Sequence, residues 1–159
     1  VMLDHGQSNR YCEFVPGVKG TWHALSHWRD FRGDTEDDDG VTKWSSERSK
    51  RGMYDAVVRW HHERFARFLG RLASLEEGGE RLLDQSVVFY GSSISDGHEH
   101  GEQDLPIVVA GKGGGAIRSG RRIPSRRHVS VSSLHLATLQ ALGVDEREFA
   151  DADEPFDWS

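Results

Sequence analysis

The chain has 159 residues, enough for one ordinary domain, with 36% hydrophobic residues and a net charge of −6 from 26 acidic against 20 basic side chains. That balance excludes a general affinity for nucleic acid or anionic lipid, and no apolar run approaches the ~20 residues of a membrane span. The single cysteine, Cys12, excludes an internal disulfide framework and a cysteine-rich zinc site.

Residues 1–3 are a short apolar run that reads as the tail of a strand, and the chain opens on it without a methionine. The expectation is therefore the C-terminal portion of a longer domain, with residues 1–159 as one piece and further sequence on the N-terminal side. Residues 4–32 are polar and aromatic and read as ordered loop, with one helical turn over 23–30. The segment 33–50 is charged, almost free of aliphatic residues, and expected to be mobile. Its acidic run is no calcium loop. With Gly40 as the loop glycine, the first and twelfth positions fall on Thr35 and Ser46, where Asp and Glu are needed.

From Met53 to Leu75 apolar residues recur at helical spacing, through Val57, Val58, Trp60, Phe65, Phe68, Leu69 and Leu72. The glycines of "EEGGE" then read as a C-terminal cap. His61 and His62 lie on this helix, one facing the core side and one near solvent, both structural. "SVVFYGS" and "LPIVVAG" are continuous apolar strands, the kind that sits inside a sheet covered on both faces. "GKGGG" is a flexible turn, and no Gly-Lys-Ser/Thr follows to make a phosphate loop. "VSVSSLHLATLQALGV" is an amphipathic helix with serine caps at its start and Gly143 at its end. The acidic tail reads as a surface strap. This order predicts an α/β fold: a layered, mostly parallel sheet flanked by helices.

Two short stretches carry the chemistry. In "GTWHALSHWRD", His23 and His27 are four apart, so a helix would present both imidazoles on one face, with Ser26 available to orient a ligand or cap the turn. The alternative is two histidines packed beside Trp22 and Trp28. In "GSSISDGHEHG", Asp96, His98 and His100 follow a strand exit, where alternate residues of an extended segment share a side. A carboxylate and imidazoles suit Zn²⁺ or Mn²⁺ first, with Fe²⁺ or Ca²⁺ as further candidates. Neither stretch completes a coordination sphere, but His23, His27, Asp96 and His100 together would, with His98 in reserve. Asp4 and His5 form a weaker ligand pair. Arg118, Arg121 and Arg122, with Arg126 and Arg127, make a basic patch that could bind an anion or simply be a solvated hairpin. Ser92, Ser93 and Ser95 have no histidine–acid pair placed to activate them, which excludes a serine triad.

"WHALSHW" after "QSNRYCEFVPG", followed by "LLDQSVVFYGSSISDGHEHGEQDLPIVVAGKGGGAIRSGRRI", resembles the HXXSHH family, bacterial proteins of unknown function named for a histidine–serine–histidine signature. The likeness runs from about Met2 to the "LHLATLQALGV" helix and the tail, with the acidic loop as its least similar part. By position the signature falls on His23, Ser26 and His27, while Trp28 stands where the family has its last histidine. In the second block His100 looks like the most regular histidine, position 96 is Asn or Asp, and position 98 varies. The family is in turn remotely similar to the alkaline phosphatase and sulfatase superfamily, whose late strand ends in Ser-Asp-His-Gly or Ser-Asp-Asn-Gly. That likeness implies an alkaline-phosphatase-like fold and metal-dependent hydrolysis of small phosphate or sulfate esters, with the nucleophile on the N-terminal side of Val1. It also implies a periplasmic or extracellular location. The competing expectation is a non-catalytic metal- or ligand-binding module on a hydrolase-like fold.

Overall fold

The computed structural model describes residues 8–31, 43–123 and 129–158. The chain divides into two compact units, residues 1–67 with 91–107 and residues 68–90 with 108–159.

In the first unit, α1 (Trp22–Ser26) is capped by Thr21, whose hydroxyl accepts from the Ala24 N–H. Its other free N–H groups do not go to waste: Trp22 and His23 donate to the carbonyls of Arg10 and Ser8. A 3₁₀ turn, Trp28–Asp30, follows with His27 at the junction. The long helix α2 runs Glu47–Ala73. It begins earlier than periodicity predicts, because Ser46 caps it: the Ser46 hydroxyl accepts from the Ser49 N–H at 3.1 Å. The core gathers Cys12, Val15, Val18, Ala24, Leu25, Trp44 and Val57. Within the segment 33–50 read as loop, Trp44 is buried and residues 47–50 form the first turn of α2. Residues 33–42 of that loop, the strand reading at 1–3, Asp4, His5, Arg126 and Arg127 lie outside the described residues.

In the second unit, "EEGGE" is a hairpin and not a helix cap: β1 (Glu76–Glu77) pairs antiparallel with β2 (Glu80–Arg81). Gly78 and Gly79 turn it with φ of 62° and 86°, left-handed values that a two-residue hairpin turn requires and glycine adopts without cost. A short α3 (Leu82–Gln85) leads into β3 (Val87–Gly91). β4 spans Ile107–Gly111, a 3₁₀ turn covers Gly113–Gly115, and α4 covers Val131–Ala141, capped by Ser130 as its sequence predicts. Leu134, Leu136, Ala137, Ile117 and Ala152 are buried.

Among the described residues the expected layered, mostly parallel sheet is not formed. The described strands make two two-stranded sheets, β1–β2 and β3–β4. At one end of β3–β4 the Ser92 N–H reaches the Pro106 carbonyl, and at the other the Gly113 N–H reaches the Ser86 carbonyl, so the strands run antiparallel. The stretch between them curls through turns and supplies no crossover helix of the kind a parallel pair needs. Nor are the strands covered on both faces: Phe89 and Val108 are 41% and 49% exposed. An apolar run establishes that a segment favours a strand, while partner direction and cover depend on the rest of the chain. The alkaline-phosphatase-like sheet falls with it.

Candidate metal centre

The first unit brings the two histidine stretches together. His27 Nε2 lies 3.2 Å from His23 Nε2. The His100 ring stands 5.0 Å from that of His27 and 6.1 Å from that of His23, centroid to centroid. Ligand atoms of His23, His27 and His100 all fall within 4.8 Å of one another, so these three residues could hold a metal ion. Two nitrogens on one tetrahedral Zn²⁺, each at about 2.0–2.1 Å, stand about 3.3 Å apart, close to the observed spacing.

The neighbouring tryptophans make contacts of their own. Trp22 stacks on Tyr54 at 5.2 Å and meets His61 edge-on, while Trp28 carries the guanidinium groups of Arg29 and Arg51 on its ring. His61 is the packed histidine, between Trp22 and Trp60, and His62 is exposed.

His27 caps α1 and does not lie inside a longer helix, yet the i, i+4 relation still aligns the rings. Its position is held from below: Lys50, 4% exposed, donates from Nζ to the His27 carbonyl at 3.1 Å and rests over the Trp44 ring. A cation at the open carbonyl end of a helix is favourable there. Nothing in the charged "ERSKRG" distinguishes this lysine from its neighbours, so sequence reading missed it.

The second stretch is a tight turn, not an extended segment. Gly101 closes it against Ser95 and Asp96: its carbonyl accepts from the Ser95 N–H at 2.8 Å, and its own N–H donates to the Asp96 carbonyl at 3.1 Å. His100 is the last residue of the turn, with φ of 51°, a left-handed backbone that few side chains adopt. Alternation along an extended segment does not place these three side chains: the rings of His98 and His100 both approach that of His27, while Asp96 turns elsewhere. Asp96 stabilises the turn instead: Oδ1 accepts from the N–H groups of His98 and Glu99, and Oδ2 accepts from Arg29 at 2.7 Å. Those two N–H groups and then the Arg29 guanidinium hold the Asp96 carboxyl below its ordinary value.

Asp30, absent from the expected ligands, takes a place beside the cluster. Its Oδ2 lies 3.6 Å from His27 Nδ1 and 3.5 Å from His98 Nδ1, and His27, Asp30 and His98 form a second group that could hold an ion. The signal was present in sequence as a carboxylate three residues after His27.

Ser26 does not reach a ring nitrogen through any described bond. Its hydroxyl donates to the His23 carbonyl at 2.7 Å and lies 3.4 Å from the Gly97 carbonyl, tying the two stretches together. They touch so closely that a Cβ on Gly97 would stand 2.8 Å from Ser26 Cβ. Gly97→Ala must push the stretches apart, and is expected to weaken Zn²⁺ binding about tenfold, the lower end for loss of a ligand-supporting contact. Calorimetric titration of the variant checks this; an unchanged affinity would show that the junction tolerates displacement.

Burial lowers the His27 pKa from 6.5, His23 and His100 push the same way, Asp30 pulls upward, and His98 again pushes down. The folded chain then binds fewer protons at His27 than the unfolded chain. Stability attributable to this residue is intact above about 6.5 and declines as pH falls through the lowered folded value. The metal-free protein is expected to melt at lower temperature at pH 5.5 than at 7.5, with a smaller difference in His27→Gln.

The arginine patch belongs to the second unit. Arg121 donates to the carbonyls of Arg118 and Trp158, which commits it to holding the C-terminal tail. Arg118 and Arg122 are exposed.

No protein-family model, no curated protein and no solved structure matches this chain.

Proposed function

We propose that the chain is a divalent-metal centre of the hydrolytic type, in which His23, His27 and His100 are the ligands and Zn²⁺ or Mn²⁺ the ion. The observation that carries this reading is the convergence of three imidazoles, from two distant stretches, within 4.8 Å. Three histidines with one of them, His100, exposed leave a coordination position facing solvent, as catalytic sites do and structural sites do not. A bound ion would act as a Lewis acid on a water molecule and on an ester oxygen. The protein's own part is to hold three rings in place: Lys50 and Thr21 fix α1, and Asp96 fixes the turn that presents His100. The family resemblance adds a small phosphate or sulfate ester as substrate and an exported location.

A second reading, a metal-binding module without turnover, is favoured by Trp28 at the place of the signature's last histidine. One experiment separates them. Untagged protein is loaded with Zn²⁺ or Mn²⁺, its metal content measured, and aryl phosphate and sulfate esters offered. Bound metal with turnover lost in His100→Ala supports the hydrolase; bound metal without turnover supports the module. Failure to retain either ion, with no thermal shift on adding it, would leave the histidines structural.

A further inference from the structure

We infer that Asp30 and His98 form a second cation site that shares His27 with the first, so that the His27 ring bridges two metal ions. This rests on the reading of His23, His27 and His100 as ligands.

The two nitrogens of His27 face different partners. Nε2 meets His23 at 3.2 Å, while Nδ1 faces the Asp30 carboxylate at 3.6 Å. On that second side the contacts are spaced for an ion and not for one another. Asp30 Oδ2 stands 3.5 Å from His98 Nδ1 and 3.6 Å from His27 Nδ1, both longer than the 2.7–3.2 Å of a hydrogen bond. They are close to the edge of about 3.3–3.4 Å for ligands around one tetrahedral ion.

His98 Nδ1 supplies an independent observation. It is buried and has no hydrogen-bond partner, although its neighbour is a carboxylate that could accept one. A buried ring nitrogen left unsatisfied costs free energy unless something absent from the apoprotein occupies its lone pair. His27, Asp30 and His98 place their ligand atoms within 4.8 Å of one another, which gives that lone pair a common centre with two others. Two imidazole nitrogens and a carboxylate oxygen accept Zn²⁺ or Cu²⁺. For His27 to bind through both nitrogens, the remaining ring proton leaves to solvent and the imidazolate bridges the ions, with no change in oxidation state.

The test is stoichiometry and magnetic coupling. Equilibrium dialysis against Zn²⁺ is expected to give two ions on the wild-type chain. One ion is expected in Asp30→Asn and His98→Gln, and one in His23→Gln, where the other site is emptied. With two Cu²⁺ ions bound, coupling through the shared ring should suppress the isolated-ion paramagnetic resonance signal, which returns in Asp30→Asn. Asp30 is exposed, so its variant is expected to fold even if His98→Gln does not. One ion on the wild type, unaffected by Asp30→Asn, overturns the second site and leaves the three-histidine centre standing. Two ions whose Cu²⁺ signals simply add overturn the bridge. No bound ion at all removes the three-histidine reading and this inference together.

Discussion

His27→Ala is expected to abolish high-affinity Zn²⁺ binding while leaving the metal-free fold nearly intact. Zinc sites with four protein ligands bind with about 10–16 kcal/mol, so one ligand accounts for about 2.5–4 kcal/mol, or about 10²–10³ in dissociation constant. His27 is the residue for which this loss should be largest, because it is common to both groups that could hold an ion. His100→Ala and His98→Ala each touch one group. The metal-free fold should survive, since the ring is not part of the apolar core and what holds the position is a backbone contact: Lys50 bonds the His27 carbonyl, which alanine retains. The readout is the Zn²⁺-induced rise in melting temperature. At a free metal concentration one hundred times the dissociation constant, the wild type gains about 2.7 kcal/mol, and the variant should gain almost nothing. A variant that keeps the full shift would show that the ion, if bound, sits elsewhere.

Trp44→Ala is expected to give the largest loss of stability, about 3–5 kcal/mol. Trp44 is 1% exposed and heads the fully buried side chains by volume. Truncation leaves a cavity in the first unit's core, orphans the Lys19 carbonyl that its indole N–H bonds at 3.3 Å, and removes the ring beneath Lys50. The last effect links stability to the site, because the ammonium of Lys50 would lose its aromatic partner while still bonding His27. Against a typical total of about 5–15 kcal/mol, such a loss takes much of the first unit's margin. Trp44→Phe keeps a ring for Lys50 and should cost less than the alanine. Chemical denaturation followed by circular dichroism distinguishes the two. Equal losses would mean that neither the ring face nor the cavity decides the effect and that the lost indole N–H bond to Lys19 carries it.

Much of the local structure was legible along the chain. The period of apolar residues after Met53 marked α2, Ser130 and Gly143 bracketed α4, and the apolar runs located β3 and β4, because each depends on neighbours a few residues away. The pairing of His23 with His27 was legible for the same reason. The convergence of that pair with His100 was an expectation that no local pattern could establish. The start of α2 was written in Ser46 and passed over, and the glycines after β1 supported two turn chemistries between which only the partner strand decided.

By itself the sequence determined the body of α2, the extent of α4, the apolar runs of β3 and β4 and the spacing of His23 with His27, since propensity, capping and spacing act over one or two turns of chain. Only the tertiary structure decided that β3 and β4 run antiparallel, that Asp96 is consumed by its own turn and Arg29, and that Asp30 and Lys50 stand around His27. Those outcomes depend on contacts between residues far apart in the chain, where a carboxylate or an ammonium has many possible partners and packing selects one.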